Sequence, residues 1–110
     1  MNPRQYFEKL LDEMPVGLER AILYILRFHI GLGQSIEKEP LMIALSNGGF
    51  PVKDERQVRL AIVKLRKAGI PVCSSSAEAG YFLPASRLEF TEFVAREYWK
   101  KIKDMTETAL

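Results

Sequence analysis

Between Lys53 and Lys67 the chain gathers side chains that could do chemistry together: Lys53, Arg56, Gln57, Arg59, Leu60, Val63, Lys64 and Lys67. At about 100° per residue, Lys53, Arg56, Leu60, Val63, Lys64 and Lys67 share the helix face opposite Val58, Ile62 and Leu65, with Gln57 and Arg59 at its flanks. An arginine so placed can donate two hydrogen bonds to a guanine edge, and a glutamine can pair with adenine. An apolar side chain such as Leu60 or Val63 can touch a thymine methyl. Lys64 and Lys67 lie further along, where phosphate oxygens are the expected targets. Six bases and two acids between Lys53 and Lys67 leave a local charge of +4. The expectation is a helix lying in the major groove of double-stranded DNA. Lys53, Arg56, Gln57 and Leu60 would face base edges, while Lys64, Lys67 and the serines Ser75 and Ser76 would hold the backbone.

The same residues support a second reading. Solvated helix faces are commonly rich in Lys and Arg. Asp54 and Glu55 place negative charge at the helix N-terminus, and the stretch CSSSAEAG (73–80) carries Glu78 and no base. Leu60 and Val63 exposed together would also suit a protein partner. The alternative is therefore a protein–protein interaction module without DNA binding.

Local signals set the elements that position these groups. Asp54 and Gln57 form a capping box that starts a helix over about 54–68. Val58, Ala61, Ile62 and Leu65 form its apolar face. Gly69 ends it, and Pro71 prevents its resumption. Ile70–Ser74 reads as a strand, Ser75–Gly80 as a turn, and Tyr81–Leu83 as a second strand closed by Pro84. The run DERQVRLAIVKLRKAGIPV followed by GYFLP resembles the winged helix-turn-helix of the biotin operon repressor and of small phage and bacterial regulators. Leu65, Arg66, Gly69, Gly80, Tyr81, Leu83 and Pro84 match that pattern. The resemblance implies an α+β fold with a three-helix core and a β-hairpin wing over 18–84. It also implies DNA binding in transcription regulation, or in phage or plasmid replication or packaging. No residues correspond to the repressor's ligase domain, so neither biotin binding nor ligation is implied.

Around this core the chain adds a helix at each end. Asn2 caps the first, with Pro3 in its first turn, and it runs to about Met14 before Pro15 and Gly17 break it. Leu18–Ile30 reads as a second helix at the centre of the core. Ser35 and Ile36 suit a short strand, Pro40–Leu45 a short helix, and Ser46–Val52, with Asn47-Gly48-Gly49, the turn of the helix-turn-helix. Ser86 and Glu89 form another capping box, opening a final helix over about 86–107. One stripe of this helix holds Phe90, Phe93, Val94, Tyr98, Ile102 and Met105, and another holds Leu88, Ala95 and Trp99. The second stripe fits either a homodimer contact or packing on Tyr6 and Phe7 of the first helix. A dimer would present two copies of helix 54–68 about one turn of DNA apart.

The composition is that of one domain of 110 residues, 47% hydrophobic, with a net charge of +2. Residues 1–50 sum to −1 and residues 51–110 to +3, so the basic excess lies with the helices singled out above. No apolar run approaches the roughly 20 residues of a membrane span, there is no secretion signal, and one cysteine cannot form an intrachain disulfide. A cytoplasmic protein is expected. Cys73 reads as a buried, inert thiol. His29, the only histidine, reads as partly buried and hydrogen-bonded to nearby backbone. Without a Cys or carboxylate cluster it offers no metal site. There is no phosphate-binding loop, dinucleotide turn or nucleophile motif, so no catalytic residue and no cofactor is expected.

Overall fold

The computed structural model describes residues 2–75 and 80–97, which form an α+β arrangement of helices around a small antiparallel sheet. Helix α1 (Pro3–Glu13) begins where expected. The Asn2 side chain accepts from the Gln5 amide at 2.9 Å, and the Gln5 side chain accepts from the Asn2 amide at 3.1 Å. These bonds satisfy amides that have no partner within the first turn. Phe7 and Leu11, one turn apart, are buried.

Helix α2 spans Leu18–Leu26 and buries Ile22, Leu23 and Leu26. It stops one turn short of the expected Ile30, and the reason is tertiary. The Phe28 and His29 amides close tight bonds to Ile25 and Leu26. The backbone then joins the sheet: Leu83 donates to the His29 carbonyl at 2.9 Å, and Gly31 donates to the Leu83 carbonyl at 2.7 Å. Gly31, at φ 103°, makes the exit that other residues rarely allow. His29 sits in this bend, half-buried, with Nδ1 2.8 Å from the Gln34 carbonyl oxygen, as its expected backbone bond required.

A single 3-10 turn leads to β1 (Ile36–Glu37), one residue later than read from the sequence. Helix α3 covers Lys38–Asn47, longer at both ends than the expected Pro40–Leu45. Pro40 is its third residue, where a missing N–H costs no helical bond. Leu41 and Leu45 face the core. Gly49, at φ 89°, turns the chain toward helix α4 (Glu55–Lys67).

Strand β2 (Cys73–Ser75) and strand β3 (Gly80–Phe82) form a hairpin, and β3 also pairs with β1, giving the order β1-β3-β2. The expected strand start at Ile70 is not realised. Ile70–Val72 instead forms a tight link around Pro71, with the Val72 amide donating to the Ile70 carbonyl at 2.9 Å. Alternation along the middle strand divides the core. Tyr81 and Leu83 face the main cluster built from α1 to α4, while Phe82 faces Cys73, Phe90 and Phe93.

The last two of these belong to α5, whose described part covers 87–97. Its start departs from the expected box: the Glu89 amide donates to Ser86 Oγ, but the Glu89 carboxylate accepts from the Ala85 amide, one residue before the cap, each at 3.1 Å. Its apolar stripe is narrower than expected, because Phe93 is buried but Val94 is 47% exposed. Tyr98, Trp99, Ile102 and Met105 lie outside the described residues. Among the described residues, no helix is long and apolar enough to cross a membrane.

Candidate nucleic-acid interface

Helix α4 owes its orientation to its apolar face. Val58, Ala61, Ile62 and Leu65 are all buried, and their burial turns the opposite face outward. Lys53, Arg56, Arg59, Leu60, Val63, Lys64 and Lys67 are all exposed, with Leu60 at 54% and Val63 at 41%. Helical spacing puts Arg56, Leu60, Val63 and Lys67 on one ridge. The expected gathering of these residues is thus present.

The helix start differs from the expected box in a way that bears on chemistry. Asp54 accepts from the Gln57 amide at 3.0 Å. The Gln57 side chain, however, accepts from the Lys53 amide, one residue before the cap, at 2.9 Å. Its carbonyl oxygen is engaged by that amide, so the paired contact to adenine would compete with the start of the helix.

Charges around the ridge are partly neutralised. Lys64 lies to one side, 3.7 Å from Glu19 of α2, in a pair exposed enough to be weak. Glu55 is engaged by Lys38 of α3. With Asp54 holding the cap, both acids at the start of α4 have partners. Lys38 was not singled out in the sequence, since its contact depends on α3 packing beside α4. Burial raises the Tyr81 hydroxyl above its ordinary pKa; the positive charges of Lys38, Arg66 and Arg59 oppose the rise and Glu55 adds to it. These charges therefore cluster where α4 meets the sheet.

Arg66 does not belong to the outward ridge. Its Nε donates to the Val72 carbonyl at 2.8 Å, and its guanidinium stands 5.6 Å from the Phe93 ring centre. It ties α4 to the hairpin and to α5. Ser75 ends β2, paired with Gly80; its side chain and all of Ser76 lie outside what the structure describes. Leu88 (67% exposed) and Ala95 are both exposed, so neither packs into the chain, and Trp99 lies outside the described residues.

Cys73 is fully buried, and burial pushes its thiol up to about 12. It is protonated and sheltered at neutral pH, as read from the sequence. Among the described residues, no group of three or more His, Cys, Asp or Glu side chains is placed to hold a metal ion. The chain matches no protein-family model, no curated protein and no solved structure.

Proposed function

We propose that the chain is a winged helix-turn-helix that binds double-stranded DNA, with α4 in the major groove and the β2–β3 hairpin as its wing. The observation that carries this reading is the ridge of Arg56, Leu60, Val63 and Lys67 on a helix whose opposite face is wholly buried. The element order supports it: three helices, α2 to α4, lead into a hairpin whose strand β3 also pairs with β1. Engagement of Asp54 and Glu55 softens the negative charge at the entering end. Arg56 is the base-reading residue, with Leu60 and Val63 at thymine methyls. Lys53, Arg59, Lys64 and Lys67 contact phosphates. The role is that of a small regulator or replication factor, and pairing of two copies through Leu88 and Ala95 would suit a near-palindromic site.

The test is fluorescence anisotropy with a random-sequence duplex at low and near-physiological salt. Binding that falls steeply with salt is expected, because each neutralised phosphate releases counterions. The half-exposed Leu60 and Val63 at the centre of the ridge favour the second reading, a protein-interaction surface. Its signature is no duplex binding at low salt, together with partner binding that salt leaves unchanged.

A further inference from the structure

Between α2, α3 and the turn that follows α3 lies a cavity of about 260 Å³. Ala21, Ile25, Leu45 and Phe50 give it apolar walls, and Arg20 and Tyr24 also line it. Its volume is below the roughly 300–1,000 Å³ of sites for drug-sized ligands, so it suits a single ring or a short branched chain. Arg20 supplies the charge. Its Nε donates to the Leu11 carbonyl at 3.1 Å, which anchors the side chain. Its guanidinium forms no ion pair among the described residues, leaving the terminal nitrogens without an anionic partner. The Tyr24 hydroxyl likewise has no hydrogen bond among the described residues, although Arg27 stacks on its ring at 3.9 Å. Glu19, on the same helix, faces Lys64 instead of neutralising Arg20.

We infer that this cavity binds a small apolar monocarboxylate, with the ring or alkyl group between α2 and α3 and the carboxylate on Arg20. A guanidinium held at one nitrogen is pre-oriented for a carboxylate. An apolar body that fits the walls supplies the remainder of the binding free energy. The site does not depend on what α4 binds.

Phenylacetate is a suitable probe, with phenylacetamide as its uncharged counterpart, each titrated into the isotope-labelled chain and followed by amide chemical shifts. Saturable shifts are expected at Ala21, Ala44 and Gly48, with phenylacetamide weaker by about tenfold, the ratio that one charge-assisted hydrogen bond gives. Arg20→Gln should lower phenylacetate affinity to that of the amide. Ala44→Leu, which fills the cavity and leaves Arg20 in place, should abolish binding of both; it decides the matter if Arg20→Gln does not fold. Equal affinity for acid and amide would overturn the role of Arg20. Shifts at other residues, binding that survives Ala44→Leu, or no saturation up to about 10 mM would overturn the site.

Discussion

The Arg66 Nε donates to the Val72 carbonyl at 2.8 Å, joining the last turn of α4 to the residue before β2. A hydrogen bond from a charged donor to a partly buried carbonyl contributes more than a neutral one. The Arg66 guanidinium also stands over Phe93, so one side chain links α4, the hairpin and α5. Arg66→Met keeps most of the apolar stem and removes both polar contacts. Urea unfolding should show a loss of about 1–2 kcal/mol. An unchanged midpoint would mean that water replaces the bond without penalty.

Gly80 opens β3 against β1, and a Cβ there would stand 2.5 Å from the Ile36 carbonyl oxygen and 2.8 Å from its carbon. Both are backbone atoms, so the strand itself would have to move. Gly80→Ala should destabilise the chain by about 1–3 kcal/mol, and amide exchange should quicken at Ile36 and Tyr81. Wild-type protection at those amides would contradict the close approach of the two strands.

The Cys73 thiol, raised by burial from an ordinary 9.0 to about 12, gives a pH dependence of definite sign. Above pH 9 the unfolded chain loses this proton while the folded chain keeps it. The stability present below pH 9 should therefore fall as pH rises toward 12, by up to about 1.4 kcal/mol per pH unit. The raised Tyr81 hydroxyl acts in the same direction from pH 10 upward. Cys73→Ala should flatten the slope between pH 9 and 10 and leave the contribution of Tyr81. At neutral pH a thiol reagent should label Cys73 only after unfolding.

On the proposed DNA face, Arg56 and Lys67 are exposed and make no ion pair among the described residues. Replacing both by alanine should leave stability within about 0.5 kcal/mol and weaken duplex binding. With Lys67 on a phosphate and Arg56 on a base, the slope of log affinity against log salt should shrink by about 1 and discrimination between sites should fall; a change of about 2 with discrimination intact would move Arg56 to a phosphate. Unaltered affinity would move the interface away from this ridge.

Much of this architecture can be read from short-range patterns. Asn2, Asp54 and Ser86 stand at helix starts as their side chains require. Val58, Ala61, Ile62 and Leu65 are buried as their spacing requires, which places the opposite ridge in solvent. A helix carries its own hydrogen bonds and its own periodicity, so a window of one or two turns holds the necessary information. The backbone bond of His29 is local too, its acceptor Gln34 lying close along the chain, whereas burial of Cys73 needs Phe82 and Phe93.

The remaining features were settled by partners distant in sequence. Helix α2 ends at Leu26 because Leu83 claims the backbone at His29 and Gly31, and no periodicity before residue 31 contains that fact. Strand β2 begins at Cys73 because only there does the chain meet Phe82 in register. Glu55 is engaged because α3 sets Lys38 beside it, and Arg66 is held against the hairpin and α5 because Val72 and Phe93 stand next to it. The cavity beside Arg20 arises from the meeting of α2 and α3. Sequence alone therefore determined the capped starts of α1, α4 and α5 and the two faces of α4, since those depend on neighbouring residues. Strand limits, charge pairing and the cavity were decided by the tertiary structure, since each requires groups that only folding brings together.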